Sequence, residues 1–391
     1  MKEVVIVSAV RTPVGSFNGA LASKTAPQLG AIAIKEAINR AGIKPEDVSE
    51  VIMGCVLTAG LGQAPARQAA IFAGLPNSVP CLTIGKVCGS GLKAVMLGAQ
   101  AIQCGDADVV VAGGMESMSN VPYYLDKARN GYRMGDGKVI DGMIKDGLWD
   151  VYNNFHMGNA AEMCSREMNI TREMQDDFAE ESYKRALAAT ESGAFKDEIV
   201  PVEITDKKGT VTVSEDEDIR KGNAEKGRKL KPSFEKEGTI TAFNASSIND
   251  GAAAIVIMSA DKAKELGLTP IAKIVGQISF AQSPEKFTTA PAYAIQNLLK
   301  KVNLTVNDLD LVEANEAFAV QACAVNQIAG LDTSKVNVNG GAVAIGHPIG
   351  ASGARILTTL VHAMKNRNAK RGLATLCIGG GEASAMIIEK I

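Results

Sequence analysis

Residues 33–54, AIKEAINRAGIKPEDVSEVIMG, lie without a gap on residues 294–315, AIQNLLKKVNLTVNDLDLVEAN. Few positions are identical, yet the pattern agrees throughout. An apolar helical stripe (Ile34, Ala37, Ile38, Ala41 against Ile295, Leu298, Leu299, Val302) leads to a turn, to an aspartate at 47 and 308, and then to a strand. Two further pairs follow in the same order: CGSGLKAVMLGAQAI from 88 with GASGARILTTLVHAM from 350, and DVVVAGGMES from 108 with ATLCIGGGEAS from 374. The chain therefore reads as two copies of one βα-rich unit. Strands alternating with helices predict layers of sheet and helix, with a site at the boundary of the two halves.

The copies differ in one large respect. After the glycines at 379–381 the second copy runs straight into a closing strand, ASAMIIEKI, whereas the comparable strand of the first copy, GAAAIVIMSA from 251, arrives only after a long interruption. The expected organisation is an N-terminal half over 1–118 and 249–268, an inserted loop domain over 119–248, and a C-terminal half over 269–391. Runs such as SEDEDIRKGNAEKGRKLKP set the insert apart by their charge.

Composition excludes several classes. A hydrophobic content of 46% with 21% charge is that of a folded globular chain, and a net charge of -2 argues against a broad nucleic-acid footprint. No window reaches the roughly 18 uninterrupted apolar residues of a membrane span. The opening MKEVVIVSAVRTPVG reads as a strand rather than a secretory leader, so a cytoplasmic protein is expected. Seven cysteines, at 55, 81, 88, 104, 164, 323 and 377, are odd in number and contain no CxxC pair, which suits neither a disulfide framework nor a metal site. Cys55, Cys81, Cys104, Cys164 and Cys323 are read as small buried hydrophobes.

Cys88 is different. PCLTIGKV, 80–87, is strand-like, and from Leu92 apolar residues recur at helical spacing until Gly105, which places Cys88 in a strand-to-helix turn. Free N–H groups and the positive helix end there would favour thiolate over thiol. The alternative is a buried cysteine between turn-forming glycines. His347 lies in the glycine-rich loop NVNGGAVAIGHPIGASGARI, with no helical face to occupy, and is a candidate for positioned acid–base work. His362, the third of three histidines, falls with Arg355, Thr358 and Lys365 on the polar face of a helix and is expected in solvent. Cys377 ends a strand against the glycine turn of TLCIGGGEAS, where the N–H of Gly379 could pair with that of Cys88 as an oxyanion site. Asn315 and Glu316 follow a strand in VEANEAFAV, either as functional groups or as the cap of a helix starting at Glu316.

VCGSG around Cys88, GGMESMSN at 113–120, NEAF at 315, GHPIGASGAR at 346 and CIGGG at 377, in this order over essentially the whole chain, resemble the thiolases, and among them the short-chain acetyl-CoA acetyltransferases. The resemblance implies a five-layered αβαβα fold with an inserted loop domain, usually as a homotetramer. It implies reversible Claisen condensation of two acetyl-CoA to acetoacetyl-CoA plus CoA through an acyl-Cys88 intermediate, with coenzyme A as substrate and no further cofactor or metal. His347 would take the thiol proton and Cys377 would be the base for carbon–carbon bond formation. The enolate oxygen would be held by His347 and a water on Asn315, and the acyl oxygen by the N–H groups of Cys88 and Gly379. For CoA binding the resemblance implies Leu148, His156, Met157, Ser246, Ala317 and Phe318, with Arg220 meeting the ADP phosphates. Gly85, Phe243 and FTTAP at 287–291 depart from the common pattern; the last two are expected near pantetheine and the acyl chain, and Met157 with Phe287 suggests a small acyl pocket.

Alternatives are a thiolase of broader chain length, a ketoacyl-carrier-protein synthase, an oxidoreductase and a non-catalytic CoA scaffold. The synthases generally use two histidines with the cysteine, but Asn315 holds one of those places. An oxidoreductase would need GxGxxG after a strand, which the sequence lacks. A scaffold would be expected to lack Cys88, His347 or Cys377.

Overall fold

The computed structural model describes residues 2–207 and 209–391. Five strands of the N-terminal half, β1 (Val4–Arg11), β2 (Glu50–Gly54), β3 (Cys81–Ile84), β4 (Val109–Ser117) and β5 (Asn249–Ser259), lie in the order β3-β2-β4-β5-β1. The C-terminal half repeats the order as β7-β8-β9-β6, from β6 (Ala272–Ala281), β7 (Leu311–Ala314), β8 (Arg371–Ile378) and β9 (Glu382–Lys390). Where the first half has β3 beside β2, the second keeps a single parallel bridge, Val336 to Val312. The two sheets meet where β1 pairs with β6 through Val5–Lys273 and Ile6–Ala272.

Period-two side chains divide each strand between two layers. In β5, Ala252, Ala254, Val256 and Met258 face helices α1 (Ala26–Ala41) and α2 (Pro65–Phe72), while Ala253, Ile255 and Ile257 face the molecular centre. In β9, Ala383, Ala385 and Ile387 face helix α6 (Ala290–Lys301), while Met386 and Ile388 turn to the same centre. That centre holds two helices, α3 (Ser90–Cys104) and α8 (Ile349–Arg367). Helix, sheet, helix, sheet, helix is thus the five-layered αβαβα arrangement, and strands without a polar face follow from having helices on both sides.

The two central helices touch backbone to backbone. A Cβ on Gly91 would stand 2.7 Å from the Ala354 nitrogen, and one on Gly353 2.4 Å from the Leu92 nitrogen. These reciprocal contacts come from the matched segments CGSG and GASG, so the glycines set how closely the halves approach.

Burial of α8 corrects the reading of His362. A helix held between two sheets has no solvated face, and Arg355, Thr358 and His362 are all buried, His362 Nε2 standing 2.9 Å from the Ala9 carbonyl. Only its last turn, from Lys365, reaches water. Of the cysteines expected inside, Cys55 and Cys164 are buried, Cys81 and Cys323 are only partly so, and Cys104 is exposed at the end of α3.

β4 and β5 pair antiparallel over their lengths, and residues 118–248 leave the sheet between them. This segment carries α4 (Met157–Met168) and α5 (Arg172–Glu191). α4 packs through Ala161 and Cys164 on Val320 and Ala324 of α7 (Ala319–Ala329). A buried ion pair anchors the segment to β1: Arg11 grips Asp216 through both terminal nitrogens, at 2.7 and 2.9 Å, and also reaches Glu198.

Candidate active site

Cys88 stands in the turn from β3 into α3, as the sequence pattern requires. The Gly89 N–H donates to the Lys86 carbonyl at 3.0 Å and the Ser90 N–H to the Val87 carbonyl at 3.1 Å, closing the elbow. Val87 has φ +43°, which costs a β-branched residue energy. Cys88 opens on a cavity of about 230 Å³ between the two halves and the inserted segment. His347, Leu148, His156, Met157, Ser246, Ala317, Phe318 and Gly379, singled out from the sequence, line this cavity with it, as does Phe287.

Every N–H expected at the thiol is present. Those of Gly379 and of Cys88 itself hydrogen-bond the sulfur and pull its pKa down, yet burial outweighs them, the nearby Glu116 carboxylate adds to it, and the thiol is pushed up to about 12. The expectation of a resting thiolate is therefore corrected: loss of hydration exceeds what two N–H donors and a helix end return. His347 moves the opposite way, held down to about 3 by burial and by the Arg355 cation, so its ring is neutral. Gly346, at φ +111°, makes the turn that presents it, and the His347 N–H donates to Asn249 Oδ1 at 2.8 Å. Nδ1 stands 2.7 Å from Ser352 Oγ and 3.4 Å from Asn315 Nδ2; Nε2 is buried without a partner.

Cys377, one residue from the end of β8, packs with Met157, Ala160, Phe287 and Ala317. Its thiol is held well above the usual range by burial and by the adjacent Cys88. Asn315 is buried beside His347, with its carbonyl toward Arg355 Nη2 at 3.4 Å, and does not line the cavity. Glu316 begins no helix, since α7 starts at Ala319; its carboxylate accepts from Ser182, Asn337 and the Val343 N–H.

At the cavity mouth His156 caps α4, its Nδ1 accepting the Gly158 N–H at 3.0 Å, and stacks on Phe234 with ring centres 4.8 Å apart. Ser246 is tied to the Ala317 carbonyl by its hydroxyl (2.9 Å) and its N–H (3.1 Å). Phe287 and Phe234 both meet Phe318 edge-on. Arg220 is not among the lining residues; it lies exposed and paired with Glu215 at 3.0 Å. Phe243, expected near pantetheine, stacks instead on Tyr183 away from the cavity because it fills the gap left by Gly227.

Sequence reasoning missed Phe234, Ser352, Arg355 and Glu116. Ser352 and Arg355 lay within the quoted GASGAR, and Glu116 within GGMES, without a sign of what they would touch. Glu116 is buried and accepts the N–H groups of Val56 (3.0 Å), Leu57 (3.1 Å) and Gly350 (2.9 Å), joining the loop after β2 to the start of α8.

A half-buried thiol beneath two converging N–H groups, on one cavity with a neutral imidazole and next to a second thiol, is equipped for covalent acyl transfer through cysteine. Residues 4–261 match the family description "Thiolase, N-terminal domain" and residues 268–390 "Thiolase, C-terminal domain". The chain belongs to the thiolase family. Among its relatives, the acetyl-CoA acetyltransferase of Cupriavidus necator is 60% identical with 100% of each chain covered. Acetyl-CoA acetyltransferase 2 of Arabidopsis thaliana is 55% identical, over 99% of this chain and 97% of that one. The crystal structure of the Bacillus anthracis acetyl-CoA acetyltransferase superposes with a TM-score of 0.98 at 45% identity, covering 100% of this chain and 99% of that chain.

Proposed function

We propose that the protein is an acetyl-CoA C-acetyltransferase, joining two acetyl-CoA reversibly into acetoacetyl-CoA and CoA. The observation that carries this reading is the meeting of Cys88, His347 and the Gly379 N–H on one cavity, with Cys377 packed against its wall. Cys88 attacks the thioester as its proton passes to His347 Nε2, and the N–H groups of Cys88 and Gly379 hold the acyl oxygen. Cys377, neutral at rest, gives its proton to the departing CoA thiolate and so becomes the base that takes the α-proton of the second acetyl-CoA. Protonated His347 and a water on Asn315 hold the enolate oxygen. When the new bond forms, Cys88 leaves as thiolate and recovers its proton from His347.

Met157 and Phe287 close the space beside Cys377, which favours a short acyl group over a broad-chain substrate. Exposed Phe72 and Leu82, near and on the edge strand β3, suit a covered interface and support a homo-oligomer, read as a homotetramer. Among the described residues no helix is long and apolar enough to cross a membrane. The deciding assay is CoA-dependent loss of acetoacetyl-CoA absorbance beside a Cys88→Ala variant; no loss in the folded, reduced wild type would defeat the proposal.

A further inference from the structure

Taking a proton from Cys88 requires the lone pair of His347 at Nε2 and therefore the ring hydrogen at Nδ1. What could hold it there is visible in the first turn of α8. Nδ1 lies 2.7 Å from Ser352 Oγ, and the Ser352 hydroxyl donates to the Pro348 carbonyl at 2.9 Å. A hydroxyl has one proton; with it on the Pro348 carbonyl, which also takes the N–H groups of Ala351 and Ser352, Oγ is left to accept from an Nδ1–H. The Asn315 amide reaches the same nitrogen only at 3.4 Å and its carbonyl meets Arg355 Nη2 only at 3.4 Å, so the shorter serine contact decides. Nε2 is then a bare acceptor, which accords with its lack of any partner.

The duplication provides a comparison. Ser90 occupies the matching place in CGSG, and its hydroxyl donates to the Val87 carbonyl at 2.7 Å, with no histidine in reach of it. Both serines thus tie down the chain before their helix, but only the one at 352 also meets an imidazole. It is fully buried, so no bulk water can take its place.

We propose that Ser352 is a positioning residue that holds His347 as the Nδ1–H tautomer and keeps the Nε2 lone pair free for the proton of Cys88. The idea rests on the roles of Cys88 and His347 given above. When the proton arrives, the imidazolium keeps its Nδ1–H on Ser352 Oγ, so the serine serves the neutral and the charged ring without making or breaking a covalent bond.

The test is nitrogen-15 NMR of histidine-labelled protein at pH 7; with three histidines in the chain, His156→Gln and His362→Gln variants assign His347. Wild type should show a protonated Nδ1 and a bare Nε2. Ser352→Ala should admit the Nε2–H form and lower kcat for thiolysis about 10- to 100-fold, the worth of one buried hydrogen bond, while KM for acetoacetyl-CoA stays within about 2-fold. Ser352→Thr, which keeps the hydroxyl, should restore the wild-type tautomer, and gives the comparison if the alanine variant does not fold. Wild-type His347 protonated at Nε2, or Ser352→Ala with unchanged tautomer and kcat, would overturn the proposal. A Nδ1–H ring in a wild type that lacks thiolysis would instead defeat the proposed reaction and leave the tautomer assignment standing.

Discussion

Alkylation of Cys88 by iodoacetamide, followed across pH, should accelerate about tenfold per pH unit through neutrality, without a plateau. The reason is the distance between two pKa values. Folded Cys88 loses its proton near 12 and His347 accepts one only near 3, so passing a proton from sulfur to ring spans 12 − 3 = 9 pH units. That is about 12 kcal/mol at 1.36 kcal/mol per unit. Attraction between the ions once formed would return at most about 4 kcal/mol, the figure for charges brought to ~4 Å at an effective dielectric of ~20. The remaining cost, on the order of 8 kcal/mol, leaves the thiolate–imidazolium pair in about one molecule in 10⁶. Proton transfer must therefore accompany attack on the thioester instead of preceding it. Two measurements check this: the alkylation profile, with Cys88→Ala as background, and the thiolate ultraviolet difference between wild type and that variant at pH 7, which should be nil. A plateau between about pH 5 and 8, or a thiolate signal lost with Cys88, would refute the reasoning, because either requires an ion pair already formed at rest.

Three other outcomes are expected. Met157→Ala and Phe287→Ala, which empty the apolar wall beside Cys377, should raise thiolysis of 3-ketohexanoyl-CoA relative to acetoacetyl-CoA by about 10-fold or more, read as the ratio of kcat/KM values; an unchanged ratio would place the acyl limit elsewhere. Arg11→Met should lower stability by about 3–5 kcal/mol in urea unfolding, since it leaves Glu198 and Asp216 buried without their cation; a loss under about 1 kcal/mol would contradict that. His347, depressed from 6.5 to about 3 in the fold, contributes stability that is present above pH 6.5 and lost as pH falls toward 3. His347→Gln should flatten that limb of the unfolding free energy by about 5 kcal/mol over the whole interval, and an unaltered acid limb would show that other groups carry it.

Much of the architecture was legible in one dimension because duplication writes it twice. The stripe Ile34–Ala41 against Ile295–Val302, and CGSG against GASG, imposed the same strand and helix pattern on each half, and the late strand at 251 pointed to an insert over 119–248. Local chemistry was equally readable: a strand followed by small residues and a helix stripe can only put Cys88 at an elbow.

Tertiary structure decided the rest, since burial is a property of neighbours distant in sequence. His362 looked solvated until α8 proved to run between two sheets. Cys88 looked poised as a thiolate until the cavity walls removed its water, and His347 gained its neutral ring from the same burial and from Arg355. Which groups bear protons, which serine meets the histidine, and where Phe243 and Arg220 finally lie depend on packing between segments that no local pattern relates. The sequence by itself determined the duplicated layers and the identity of the reactive side chains; the fold decided their charge states, because removing water changes a pKa more than any neighbour along the chain can.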